Sequence, residues 1–285
     1  MGAFDSSGIN CISKTAIEFG AGTARLSERL QRVTNCTLNH ILIDRQEFNQ
    51  SQCRDSAMKK RANDNTEIKR IAGDIADFDL KEYCESGKDE VFHDSHKCFC
   101  FSKHLCGPAA DLAIDCLLRL PFNNRIPFAF ATCCHYLCTW ESFSGKTAWK
   151  SMGLSKEDFE VSVAASQWYS LKSEKNEFNS KRIDEDGVTI RPKVNFSDYI
   201  VKAAKAIKNN TSVQPPSLSS DEFERAFTKE EKSKLGGTAK RLLDFTRAAK
   251  LQELGYDTEL VIYTTQTIEN RLLIGKSTTS ILQKN

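Results

Sequence analysis

The stretch Thr15-Ala-Ile-Glu-Phe-Gly20-Ala-Gly22-Thr23 decides the fold. Its first five residues are an apolar run broken by one carboxylate, the pattern of a short buried strand, and the two glycines supply the tight turn that follows. Thr23 reads as the N-cap of a helix that carries Leu26 and Leu30 on one face. Strand, glycine turn and helix form the opening unit of an α/β fold if the rest of the chain repeats them.

The chain does repeat them. His40-Ile-Leu-Ile-Asp44 reads as a second strand, followed by a polar helix over 47–61. Ile68-Lys-Arg-Ile-Ala72 is a third strand that ends at Gly73-Asp74, with a helix over 77–84. Cys98-Phe-Cys-Phe-Ser102 is continuously apolar, as expected of a parallel strand covered on both faces. A helix over 109–120 follows, with Leu112, Ala113, Cys116, Leu117 and Leu120 on its stripe. Phe128-Ala-Phe-Ala-Thr132 is a fifth strand, and Cys133-Cys-His135 stands at its carboxyl end. Between 136 and 237 the rhythm breaks, and this segment reads as an insertion or lid. It holds a helix ending near Trp168, another over 199–207, a proline-containing loop over 213–220 and a helix around Phe223. A helix over 239–254 stops at Gly255, and two closely spaced strands, 258–263 and 270–274, then close the sheet as an antiparallel hairpin. The expectation is one α/β domain over 1–285, a doubly wound and mostly parallel sheet with a C-terminal antiparallel hairpin and the large 136–237 insertion.

Composition narrows the class. At 285 residues and 40% hydrophobic the chain can bury a full core, and no apolar run reaches the roughly 20 residues that cross a bilayer. The expectation is therefore a cytoplasmic or nuclear protein without membrane contact. Eleven cysteines in a Lys- and Glu-rich chain of this size speak for reduced thiols, not a secreted disulfide framework. The net charge of +2 conceals a bias, because 172–250 holds 17 Lys/Arg against 12 Asp/Glu. That bias permits contact with a phosphate backbone, and it equally describes a solvated face.

Ligands of open α/β sheets bind outside the carboxyl ends of the strands, so the residues at those ends carry the chemistry. Gly20 and Gly22, beside Glu18, let a backbone approach a ligand closely. A dinucleotide site prefers a third glycine at the helix start to seat a pyrophosphate, and position 25 is Arg, which favours S-adenosylmethionine. Asp44 stands where a carboxylate can accept from two ribose hydroxyls, and Asp74 where one can accept from an adenine amino group. The competing reading of either Asp is a turn or helix cap. Lys103 can neutralise a developing oxyanion and His104 can accept a proton, with Asp111 orienting a base or capping the next helix. His135 is the third candidate catalytic group. Cys133, Cys134, His135 and Cys138 offer soft ligands, but adjacent cysteines are awkward for a zinc finger and no second well-spaced pair accompanies them, so no metal is expected. Lys240, Arg241 and Arg247 along the basic helix, with Trp168, form the candidate substrate surface, against the plain alternative of helix salt bridges and core packing.

Taken in order, Glu18-Phe-Gly-Ala-Gly22 with Leu26-Ser27, Ile43-Asp-Arg45, Gly73-Asp-Ile75, Lys103-His-Leu-Cys-Gly107 with Ala110-Asp-Leu112, and Cys133-Cys-His135 with Cys138 and Trp140 form a series. Trp168, Lys240-Arg-Leu-Leu-Asp244 with Arg247, and Glu269-Asn270 with Leu272-Leu273 extend it across nearly the whole chain. This series resembles the Trm13 family of tRNA 2'-O-methyltransferases. The resemblance implies a class I, Rossmann-like fold and S-adenosyl-L-methionine as donor. The implied product is 2'-O-methylated nucleotide 4 in the acceptor stem of glycine, proline or histidine tRNA. The sequence departs from the family in lacking the amino-terminal zinc-finger modules ahead of the glycine turn, so the expectation is either reduced independent tRNA affinity or a protein partner that supplies RNA recognition. It also has Thr246 where the family favours Gly, and Ala239 where Cys is frequent. Two other functions stay open on the residues alone: methylation of a protein or small molecule, and a catalytically silent tRNA-binding or partner-supporting module.

Overall fold

The structure, a computed structural model, describes residues 14–34, 37–62, 65–85, 98–169 and 228–278. The chain divides into two compact units, one made of Met1–Ala148 and Leu242–Asn285, the other of Trp149–Arg241.

The first unit is a mixed α/β fold. Its strands are β1 (Lys14–Phe19), β2 (Leu38–Asp44), β3 (Ile68–Ala72), β4 (Cys98–Cys106), β5 (Phe128–Cys133), β6 (Tyr256–Ile262) and β7 (Arg271–Ser277). They form one sheet in the order β3-β2-β1-β4-β5-β7-β6. The first five run parallel, and β7 is antiparallel to both β5 and β6. Five of six residues of β1 and six of seven of β2 are buried, so the unbroken apolar runs in the sequence do mark strands covered on both sides. Ile17, Phe19, Ile41, Ile43, Cys100, Phe128, Phe130 and Leu273 come from the sheet into the main core. Ala113, Ile114 and Leu117 of α4 (Pro108–Leu118) pack against them.

Strand order reverses between β1 and β4, and the five parallel strands put their carboxyl ends along one edge. At such a reversal the connections diverge to opposite sides and leave a crevice. The residues at that edge are Glu18 to Gly22 after β1, Asp44 after β2, Gly73-Asp74 after β3, the end of β4, and Cys133 to His135 after β5.

Several local expectations are corrected. Helix α1 (Arg25–Val33) is not capped by Thr23. Its N-cap is Ala24, in the left-handed region at φ 64°, with no side-chain cap. The buried carboxylate of Glu18 takes that role, accepting from the backbone N–H of Ser27 at 3.1 Å and from its hydroxyl. The expected helix over 47–61 is a 3-10 turn at Gln50–Gln52 and then α2 (Asp55–Arg61). Arg70 from β3 grips both oxygens of Asp55, at 2.8 and 2.7 Å, and fixes where the helix begins. A short α3 (Leu80–Glu85) follows β3. Strand β4 does not stop at Ser102 but runs to Cys106, with a register slip against β5 between Ser102 and Leu105.

In the second unit, α6 (Lys156–Ala165) starts with a reciprocal capping box between Ser155 and Asp158 and passes into a 3-10 turn, Ser166–Trp168. Trp149, at the end shared with α5 (Lys146–Ser151), is fully buried. It donates from Nε1 to the Ser155 carbonyl at 2.8 Å and meets Phe159 edge-on. The expected helices over 199–207 and around Phe223, and the loop over 213–220, lie outside the described residues. The basic helix, α7 (Lys229–Glu253), begins ten residues before its expected start. Thr228 and Glu231 cap each other there, and Gly236 and Gly237 inside the helix give room to Tyr169 and Ala165.

Gly107 tests this geometry. It joins β4 to α4 at φ 54° and ψ −119°, and a Cβ there would fall 2.6 Å from Leu137 Cβ. Gly107→Ala combines backbone strain with a steric clash, so urea unfolding should show a loss of about 2–4 kcal/mol. Gly73→Ala, with no described residue within 4 Å of the new methyl, should cost far less.

Candidate active site

The glycine turn is held from three sides. Gly20, Gly22 and Ala24 all adopt positive φ, at 66°, 52° and 64°. These left-handed residues tighten the turn, and its N–H groups are taken up within the fold: Ala21 donates to the Ile43 carbonyl and Ala24 to that of Ala21. Asp44 Oδ2 accepts the N–H of Gly22 at 2.8 Å, and its Oδ1 accepts the N–H of Gln46. Arg70 Nη1 donates to the Gly22 carbonyl at 2.8 Å, and the Arg54 N–H to that of Thr23. Among the described residues, the atom nearest a Cβ on Gly20 would be the His104 carbonyl oxygen of β4 at 3.8 Å, and nearest one on Gly22 the Phe48 ring at 3.9 Å.

Asp44 therefore fixes the turn. Each of its oxygens keeps a lone pair for a ligand hydroxyl. Asp74 is held by two groups: its Oδ2 receives Arg45 through Nε, at 2.8 Å, and Nη2, and its Oδ1 accepts the Ala76 N–H. The Ala76 bond, ahead of Arg45, keeps this carboxyl below its ordinary range. Glu18 is buried beneath the turn. Burial pushes its pKa up to about 7, against the bonds from Ser27 and the charge of Arg70. Glu18 thus supports the turn from below, and the carboxylates that could meet a nucleoside-bearing ligand such as S-adenosylmethionine are Asp44 at the end of β2 and Asp74 after β3.

The catalytic candidates separate. Between Ser102 and Leu105, β4 advances three residues while β5 advances two, which is a bulge. Both residues of the bulge, Lys103 and His104, are exposed in succession, where a regular strand would turn one of them inward. His135 lies elsewhere. It is 1% exposed, and its Nε2 donates to Asp244 Oδ1 at 2.8 Å. The expectation that His135 faces a substrate is thus corrected: its ring is enclosed and tied to a carboxylate.

Asp244 belongs to a buried network that no local pattern announces. Its Oδ2 accepts from Thr132 at 2.9 Å, and Arg247 donates to its Oδ1 at 3.0 Å. Arg247 also grips both oxygens of Asp111, at 2.9 and 2.6 Å, and reaches the Cys138 sulfur at 3.1 Å. Asp111 in turn accepts from the backbone and hydroxyl of Ser144. Burial alone would raise the Asp244 pKa, but His135 and then Arg247 hold it well below the carboxylate range. Arg247, 1% exposed, was expected on the substrate surface and is instead an internal cation with its guanidinium committed.

The remaining substrate candidates lie in the second unit. Lys240 is 3% exposed, with Nζ 5.3 Å over the Tyr169 ring, so it too is no surface cation. Trp168 is half-buried under Lys232, and Arg241 donates to Thr238. A group the sequence left unassembled is present as well: the sulfurs of Cys106, Cys133 and Cys134 lie within 4.8 Å of one another. Burial and the neighbouring thiols push Cys133 and Cys134 up, and both are engaged with Cys106. Cys106 was readable only as part of a motif, because its partners come from the next strand.

Two measurements check these assignments. Arg247→Met leaves Asp111 and Asp244 buried without their cation, and equilibrium unfolding should show a loss on the order of 3–5 kcal/mol. Glu18 has its effect through pH. Its ordinary pKa of 4.5 rises to about 7 on folding, so the folded state holds the proton longer between those values and stability falls as pH rises through that window. Measured against Glu18→Gln, the wild-type chain should lose about 3 kcal/mol from pH 4.5 to 7 and nothing further above it.

Comparison with known proteins joins these features. The family model described as Methyltransferase TRM13 matches residues 2–276. A relative from Schizosaccharomyces pombe, "tRNA:m(4)X modification enzyme TRM13", is 26% identical over 90% of this chain and 60% of its own length. The Dictyostelium discoideum homologue is 27% identical over 91% of this chain and 48% of its own, and the Homo sapiens homologue 23% over 90% and 58%. The chain thus spans about half to three-fifths of the length of these relatives. With the family model matched along almost all of it, the chain belongs to the TRM13 methyltransferase family.

Proposed function

We propose that this chain transfers the methyl group of S-adenosylmethionine to the ribose 2'-oxygen of nucleotide 4 in a tRNA acceptor stem. The observation that carries the reading is the meeting of two features at the strand-order reversal: the triply left-handed turn, anchored by Asp44, and the β4 bulge, whose His104 carbonyl faces Gly20. The relatives' description as tRNA:m(4)X modification enzymes supports the acceptor, and the family supports methyl transfer. A mostly parallel sheet closed by an antiparallel strand agrees with a class I methyltransferase arrangement.

The bound donor supplies an electrophilic sulfonium methyl. The chain contributes alignment and charge. Gly20 and Gly22 admit the donor's amino-acid portion, Asp44 accepts from its ribose hydroxyls and Asp74 from its adenine amino group. On the other wall Lys103 sets a cation beside the acceptor 2'-oxygen and stabilises negative charge as the oxygen's proton departs. His104, next to it, takes that proton. His135 acts as a positioning residue: bound to Asp244, it holds the turn after β5 in place. Ribose is common to all nucleotides, so selection of the tRNA falls to stem shape and phosphates.

Label transfer from methyl-labelled S-adenosylmethionine to unmodified tRNA, followed by nucleotide mapping, should place the label on the 2'-oxygen of nucleotide 4. Lys103→Ala should lower kcat about 100-fold or more with donor binding intact. Asp44→Ala should instead weaken donor binding at least about tenfold by calorimetry. Donor binding without label in any tRNA would overturn the reading and favour a protein or small-molecule acceptor, or a silent binding module. Label on a base would overturn the ribose assignment.

A further inference from the structure

We propose that Cys106, Cys133 and Cys134 form a binding site for a thiophilic divalent cation, zinc in the first instance, at the carboxyl ends of β4 and β5. Among the described residues these three side chains converge as a group of metal-ligating atoms, all within 4.8 Å of one another, with Cys106 Sγ 3.3 Å from Cys133 Sγ. Three thiolates about 2.3 Å from a tetrahedral zinc stand about 3.8 Å apart, so opening the closest pair by about half an ångström and closing the others by at most about one converts the cluster into a ligand set.

The backbone explains the convergence. Cys106 and Cys133 are register partners on neighbouring parallel strands, which sets their side chains side by side. Cys134 is the unexpected member, because adjacent residues in extended chain point to opposite faces. Its backbone is left-handed instead, at φ 48° and ψ 45°, and this turn brings its sulfur back toward the other two. A non-glycine residue costs about 1–2 kcal/mol in that region, and the awkwardness of adjacent cysteines as ligands disappears with it. The Gly107 N–H donates to the Cys133 carbonyl at 3.2 Å and holds the two loops together.

The site is open on one side. Cys133 is buried, Cys134 half-buried and Cys106 exposed. Three protein ligands and an accessible fourth position is the arrangement of a zinc that keeps a solvent or substrate oxygen. Metal here would tie the segment just after the Lys103-His104 bulge to the turn that carries His135, and so fix the wall opposite the glycine turn. The site is independent of the acceptor assignment and stands even where no tRNA is methylated.

The full chain, purified under reducing conditions, is tested by metal analysis and by titration of the chelator-treated protein with cobalt(II). Cys106→Ser and Cys134→Ser serve as variants, and Cys53→Ser, whose thiol lies outside the cluster, as control. Wild type and Cys53→Ser should show an intense thiolate-to-cobalt charge-transfer band displaced by zinc. Each cluster variant, folded by circular dichroism, should bind about one metal ion fewer per chain. A band of equal intensity in wild type and both cluster variants would overturn the proposal, as would folded wild type with no band at all. Peptide mapping that found Cys106 and Cys133 joined as a disulfide under these conditions would also overturn it.

Discussion

The guanidinium of Arg247 is the contact on which the reactive edge of the sheet depends. It leaves α7 and binds Asp111 in the first turn of α4 through two parallel hydrogen bonds, with Asp244 on its other side. All three groups are within 1% of full burial, so none recovers hydration if a partner is lost. Desolvating three charges is expensive, and the network holds only because nearly every donor and acceptor is matched. What it gives in exchange is geometry. Asp244 carries the linkage to Thr132 and His135, and Ser144 carries it from Asp111 into the chain beyond β5. The helix that precedes the closing hairpin is thereby keyed to the turn at the end of the last parallel strand.

The same network clarifies one departure from the family pattern. Thr246 stands where Gly is favoured, yet it is fully buried and its hydroxyl is satisfied by the carbonyls of Leu242 and Leu243. Gly145 lies opposite, and a Cβ on that residue would come within 2.7 Å of the Thr246 hydroxyl. The side chain is accommodated because its neighbour has none.

The sheet was readable because burial on two faces writes itself into consecutive residues. Strands β1, β2, β4 and β5 appear where apolar runs meet turn residues, whereas β3, with no residue fully buried, was legible only from its place in the strand-helix rhythm; the carboxyl-end positions of Asp44 and Asp74 follow from the two together. Local capping was read less well. Thr23 looked like a cap, but Glu18, nine residues from Ser27, reaches the helix start through the fold. At the start of α7, Thr228 and Glu231 stand at the spacing of a capping box, and the paired glycines at 236–237 interrupt the helical pattern between that start and residue 239. The buried cluster could not be read at all from spacing. Asp111 and Arg247 are 136 residues apart, and an Arg on a basic helix looks the same in sequence whether it faces solvent or a carboxylate.

The β4 bulge is where fold and chemistry meet. A regular parallel strand alternates its side chains, so one of Lys103 and His104 would have been driven into the core at the cost of a buried charge or an unmatched imidazole. One extra residue removes that conflict and leaves both side chains at the surface, while Leu105 returns to the core, 1% exposed, and Cys106 regains register with Cys133. The irregularity thus has a boundary on each side: Ser102 paired with Phe130 before it, Leu105 with Thr132 after it. Thr132 is also the residue whose hydroxyl binds Asp244. A strand that slips by one residue at this point therefore sets the exposed Lys-His pair one ladder step from the buried ion network, because Leu105, which follows the pair, is the register partner of Thr132.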